Sequence, residues 1–176
     1  ETYTDKVSRY IGNSLSKAGD LPVVLISHLF MLGGVPTEAE RPIDLGGARI
    51  LPPEIIPDNC IYTALGHLHK RQVVKTSKNI IYSGSIMPFA FDEAGIEKSV
   101  TLFDVCNKNV KNLQVVKLTG YKNLHRIKAE SFEEVEEKLQ GLDGYKEVLI
   151  TLDAPSGDRI KEFVQKYPDA FFHPTF

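Results

Sequence analysis

Apolar positions in this chain recur with two periods, and the switches between them mark out its elements. Val7, Tyr10, Ile11, Leu15 and Ala18 fall at helical spacing between Thr4, a candidate N-cap, and Gly19, a candidate C-cap. Residues 5–18 therefore read as an amphipathic helix packed on a sheet. Two runs, Val23-Val24-Leu25-Ile26 and Ile61-Tyr62-Thr63-Ala64-Leu65, are almost continuously apolar, the pattern of strands covered on both faces. A third strand, Asn79-Ile80-Ile81-Tyr82, runs into Ser83-Gly84-Ser85, and 98–105 with 113–118 read as a strand pair around the polar turn Asn107-Lys108-Asn109.

After Thr119-Gly120 the texture changes. Residues 124–129 read as a strand, and Ser131-Phe132-Glu133-Glu134 is a capping box opening a helix that turns Phe132, Val135 and Leu139 inward. Residues 145–152 form another strand. Ser156 caps a second helix with Ile160, Phe163, Val164 and Tyr167 on one face, and Pro168 stops it. Followed by Ala170-Phe171-Phe172, this order predicts a small separate α/β module, so the chain divides into 1–120 and 121–176. Between the first two strands, residues 29–49 are punctuated by Gly33-Gly34, Pro36, Pro42 and Gly46-Gly47 and predict no helix. A long loop leaving directly from His28 is placed to touch a substrate or a partner.

Composition narrows the function classes. With 176 residues, 42% of them hydrophobic, the chain has material for one full domain and a smaller one. No apolar stretch approaches the roughly 20 residues that span a bilayer, and residue 1 onward lacks a signal-peptide layout, so a cytoplasmic location without a membrane partner is expected. Cys60 and Cys106 have neither metal-ligand spacing nor a disulfide framework and read as reduced and buried. A net charge of -2 excludes a surface that traps nucleic acid everywhere, leaving a local patch at Lys70, Arg71, Lys75 and Lys78, or else a solvated hairpin there. The chain opens at Glu1 without an initiator methionine and its first helix reads as the middle of a domain, so a preceding N-terminal portion is expected.

Histidines carry the candidate chemistry. One apolar run ends at Ser27-His28 and the other at Gly66-His67-Leu68-His69. Buried parallel strands present their sites at their carboxyl ends, and neutral imidazole is the commonest nitrogen ligand for divalent metals, so the pattern predicts a metal site. Residues two apart on a strand point the same way, whereas a sharp turn after Gly66 aims His67 and His69 at two neighbouring ions. His125 and His173 have no partner at ligand spacing and read as structural or exposed. Asp92 and Glu93 either accept from an imidazole N–H or lie in a solvated loop.

The run Tyr62-Thr63-Ala64-Leu65-Gly66-His67-Leu68-His69, followed by Tyr82-Ser83-Gly84-Ser85-Ile86-Met87-Pro88 and Phe91-Asp92-Glu93, resembles the SbcD-type DNA exonuclease subunits, a branch of the calcineurin-like metallophosphoesterases. Ser27-His28-Leu29-Phe30, Gly33-Gly34 and Glu38-Ala39-Glu40-Arg41 extend the resemblance over most of residues 1–118. It implies an α/β (α+β) fold: part of a two-sheet phosphoesterase sandwich over 1–120, then a small α/β DNA-capping domain over 121–176. It also implies two divalent metal ions, taken to be manganese with magnesium or zinc as alternatives, with His28 and His67 as ligands of one and His69 of the other. Lys70 and Arg71 would contact substrate. The implied activity is phosphodiester hydrolysis in DNA during repair, recombination and replication, and the implied partners are DNA and the SMC-like ATPase SbcC.

The family's Asp-x-His and Gly-Asn-His-Asp motifs, which should precede His28 and include the catalytic histidine, do not occur in this sequence. No catalytic residue is therefore assigned here, and the 176 residues alone are expected to be inactive and to dimerise or hold a complementary chain through exposed strand edges. Two other readings stand beside this one. Gly-His-x-His also occurs in phosphatases and cyclic-nucleotide phosphodiesterases, and a non-catalytic dimerisation or ATPase-docking module would need no intact centre.

Overall fold

Thr2 and Asp5 start the first helix. Thr2 Oγ1 accepts from Asp5 N–H at 3.1 Å while the Asp5 carboxylate accepts from Thr2 N–H at 2.9 Å, a reciprocal capping box. This places the cap two residues before Thr4, because only Thr2 has a carboxylate three positions on to close the box. The computed structural model describes residues 1–37, 40 and 49–176. They form two units, Glu1–Ile86 with Glu97–Thr119, and Met87–Ile96 with Gly120–Phe176. Met87–Ile96, assigned from sequence to the first domain, clusters with the second unit. The architecture is mixed α/β with several sheets, and the described residues include no helix long and apolar enough to cross a membrane.

In the first unit, α1 (Tyr3–Leu15) leads through a 3-10 turn, Ser16–Ala18, to β1 (Val23–Ser27). β2 (Cys60–Leu65) lies beside β1, and β4 (Ile80–Tyr82) beside β2, both pairs parallel. β3 (Gln72–Val73) closes the far edge as the antiparallel partner of β4, giving the order β1-β2-β4-β3. The core gathers Ile11 and Leu15 of α1 with Leu65, Ile80, Tyr82, Met31, Leu51, Ile56 and Leu68. Met31 and Leu51, joined by one parallel bridge, are fully buried, so the 29–49 loop leaves from and returns to the core. Residues 38, 39 and 41–48, including Glu38, Ala39 and Arg41 of the resemblance, lie outside the described residues.

The expectation that β1 is covered on both faces is corrected. Val23, Leu25 and Ser27 are half-buried, whereas Val24 and Ile26 are exposed, Ile26 to 81%. β1 stands at one edge of the sheet, and an apolar run by itself does not reveal whether one or both of its faces are covered. β5 (Ser99–Cys106) and β6 (Asn109–Lys117) form an antiparallel hairpin whose two-residue turn holds Asn107 and Lys108 at φ of 49° and 60°, which suits the twist of paired strands. Phe103 of β5 stacks on Tyr62 of β2 with ring centroids 4.4 Å apart. Cys106 lies exposed at the hairpin end, contrary to the expectation of burial, while Cys60 is buried and its thiol pushed up by that burial.

In the second unit, β7 (Leu124–Ala129), α2 (Phe132–Leu139), β8 (Tyr145–Thr151), α3 (Gly157–Lys166) and β9 (Ala170–Thr175) alternate, and the three strands pair in parallel in chain order. Phe132, Val135 and Leu139 of α2 and Phe163 of α3 pack with Ile127, Val148 and Ile150. Ser131 Oγ accepts from Glu134 N–H at 3.1 Å, but the Glu134 carboxylate takes the N–H of Glu130, so the box closes one residue early. Ser156 occupies the cap position of α3 without capping it, because its hydroxyl donates to Ala154 C=O. A 3-10 turn, Phe91–Glu93, buries Glu93, which removes the solvated-loop reading for that residue.

Candidate metal centre

Parallel pairing of β1 and β2 brings the histidines together. Ser27 lies opposite Leu65, and Gly66 N–H donates to Ser27 C=O at 2.9 Å, so His28 and His67 leave the sheet from the same carboxyl edge. Their rings meet edge-to-face with centroids 5.3 Å apart, and Phe30 lies 5.7 Å from His67 on another side. Gly66 makes this approach possible: a Cβ there would stand 2.8 Å from His28 Nδ1. His67 takes φ of 98°, a conformation that costs a non-glycine residue on the order of 1–3 kcal/mol and persists only where its surroundings enforce it.

Polar groups fasten the backbone near both histidine-bearing segments. Tyr82, fully buried on β4, accepts from Met31 N–H at 2.8 Å and donates to Leu29 C=O at 2.9 Å, tying the chain after His28 to the sheet. The Glu40 carboxylate accepts from His69 N–H at 2.5 Å and from the Thr37 hydroxyl at 2.6 Å. Burial pushes the Glu40 carboxyl up, but the hydrogen bonds from His69 and Thr37 outweigh it and hold the group below the usual carboxylate range. The His67 imidazole is pushed down, first by burial and then by the neighbouring His28. Tyr82 and Glu40 escaped the sequence reading as contributors here, because pairing across 29 to 53 residues leaves no local signal.

His28 is exposed and His67 and His69 are half-buried. The structure places His28 and His67 edge-to-face and His69 two residues further along the same turn. Among the described residues no group of three or more His, Cys, Asp or Glu is arranged to hold a metal ion. The two neighbouring imidazoles are of the donor type that divalent ions take, whereas Glu40 is engaged by backbone and hydroxyl donors. The cationic patch is smaller than expected. Lys78 pairs with Asp58 at 2.9 Å and donates to Ile56 C=O, while Lys70 is exposed and Arg71 half-buried with its Nε lacking a hydrogen-bond partner among the described residues. His125 lies 2.8 Å from Asp143 C=O and His173 is 3.7 Å from Glu147, both in the second unit.

No protein-family model matches the chain. It is 40% identical over 111 residues to the SbcD component of the SbcCD nuclease of Bacillus subtilis (strain 168), a match covering 62% of this chain and 28% of that protein. Over those matched residues the chain is similar to an SbcD-type nuclease component. The corresponding nuclease component of Rhodobacter capsulatus is 35% identical over 96 residues, 54% of this chain and 24% of the relative. That of Escherichia coli (strain K12) is 32% identical over 117 residues, 64% and 29%. The SbcD-type match thus spans less than a third of the length of these curated relatives.

Proposed function

We propose that the chain contributes the imidazole-bearing part of a metal-dependent DNA nuclease subunit. The observation that carries this reading is the convergence of His28 and His67 at the carboxyl edge of two adjacent parallel strands, in a sequence similar to three nuclease components. In this reading His28, His67 and His69 hold two divalent ions, of which manganese is the first choice. Bound ions of this kind polarise a phosphodiester and lower the pKa of water. The chain's own residues orient: the β1–β2 edge fixes His28 against His67, and Lys70 and Arg71 offer charge to a phosphate backbone. DNA is the substrate, the SMC-like ATPase SbcC the partner and the cytoplasm the location.

The described residues supply imidazoles and no bridging carboxylate, so the 176 residues by themselves bind metal weakly and do not turn over. The test is incubation of the purified chain with linear duplex DNA and Mn2+, with His67→Ala alongside. No cleavage together with weak Mn2+ binding that His67→Ala abolishes is the expected result. Cleavage lost in His67→Ala overturns the incompleteness, and no Mn2+ binding at all overturns the metal reading. The bare outer face of β1, where Ile26 is exposed, favours a second role as an association surface, either for a second copy or for a complementary chain.

A further inference from the structure

We infer that Glu40 and Lys98 are positioning residues that grip the His69 peptide from both sides and so hold the His67–His69 turn against His28. Glu40 takes the N–H of His69. The carbonyl of the same residue accepts from Ser85 N–H at 3.0 Å and from Lys98 Nζ at 3.2 Å, and Lys98 Nζ also donates to Ser85 Oγ at 2.8 Å. Lys98 is 1% exposed and Glu40 8%. Burying ionisable groups is costly, and a chain that needed only a tight turn would satisfy one peptide with neutral backbone partners.

The geometry around the carbonyl allows little slack. Gly84, at φ of 84°, packs so closely that a Cβ there would stand 2.9 Å from both His69 O and Arg71 N. The turn thus rests on backbone at Gly84–Ser85, on Lys98 at the start of the hairpin and on Glu40 from the long loop. The grip lies two residues from His67, whose strained φ needs outside enforcement. Groups that orient metal ligands from behind typically contribute 10–100-fold to metal affinity, which is the effect expected of this pair. The inference rests on the metal reading above.

The experiment uses the purified chain and Mn2+ alone, following paramagnetic broadening of the ring protons of His28, His67 and His69 by NMR, with thermal unfolding in parallel. Lys98→Met and Glu40→Leu each remove one side of the grip. Lys78→Met also takes an amine off a backbone carbonyl, but one remote from this turn. Both grip variants are expected to need about 10-fold more Mn2+ to broaden His67 and His69, and Lys78→Met to match the unmodified chain. Folded grip variants with unchanged Mn2+ midpoints overturn the grip while leaving the metal reading intact. Absence of any broadening in the unmodified chain overturns the metal reading, and the positioning role with it. Should neither variant fold, hydrogen exchange in the unmodified chain decides: the His69 amide is expected to be protected although it lies in no helix or strand, and free exchange there sinks the inference.

Discussion

The two units solve opposite problems. The second builds three parallel strands in chain order, and its buried residues are almost all apolar. The first leaves β1 with exposed Val24 and Ile26, yet it holds four of the five buried polar residues seen among the described positions, Glu40, Thr63, Lys98 and Ser99. Charge divides in the same sense. The first unit carries 13 Lys and Arg against 10 Asp and Glu, a net of +3, and the second 8 against 13, a net of -5. Packing is optimised where no site is proposed, and buried polarity is concentrated around the histidine turn. By net charge the first unit suits a polyanion better than the acidic second one, which the resemblance casts as a DNA cap.

The largest expected effect lies in the apolar core of the second unit. Phe132→Ala removes a ring packed 4.8 Å, centroid to centroid, from Phe163 and is expected to cost about 3–5 kcal/mol. Hydrogen exchange of the β8 amides measures it, and a cost under about 1 kcal/mol would show that this core is not the tight one described. Next comes a polar group of the first unit. Tyr82→Phe strands Met31 N–H and Leu29 C=O without a partner and is expected to cost about 1–3 kcal/mol in denaturant unfolding. A neutral outcome would mean the hydroxyl bridge is dispensable and the contrast between the units overstated.

A pair of variants isolates the strain at His67. Both His67→Gly and His67→Ala lose the imidazole, but only glycine suits a φ of 98°, so the glycine variant is expected to be the more stable by about 1 kcal/mol. Equal stabilities would say that the turn relaxes once the ring is gone. For DNA, Lys70→Gln with Arg71→Gln should weaken duplex binding and lower the slope of log affinity against log salt by about 1–2, while neutralising Lys161 on the second unit should leave it unchanged. The reverse pattern would return DNA contact to the second unit. The smallest effect on stability is expected at Ile26→Lys, within about 0.5 kcal/mol, because the side chain is 81% exposed. Light scattering should nevertheless show less self-association, and a chain that is monomeric before and after the change would remove the association role of β1.

Local signals carry far in this chain. Period and punctuation locate strands ending at His28 and before His67, the 124–129 strand, and the alternation of strand and helix beyond it, because those features depend on neighbouring residues. Thr2 and Thr4, two candidate N-caps two residues apart, cannot be ranked until the reciprocal Asp5 bond is seen. The runs around Val23 and Ile61 look alike on paper, yet one is an edge and the other is central. Lys78 reads like any patch lysine until Asp58 and Ile56 are found beside it.

By itself the sequence determined which residue types are available for chemistry and on which local elements they ride: imidazoles just after two apolar strands, with a glycine ahead of the pair. It also determined the similarity to SbcD-type nuclease components, since that is a matter of matched letters. Only the tertiary structure decided that His28 faces His67, that Tyr82 secures one histidine-bearing segment, and that Glu40 and Lys98 meet on the peptide of His69. The physical reason is that strand order, register and burial are set by contacts between distant segments, whose free energies belong to the folded chain as a whole and leave no mark on any single window of residues.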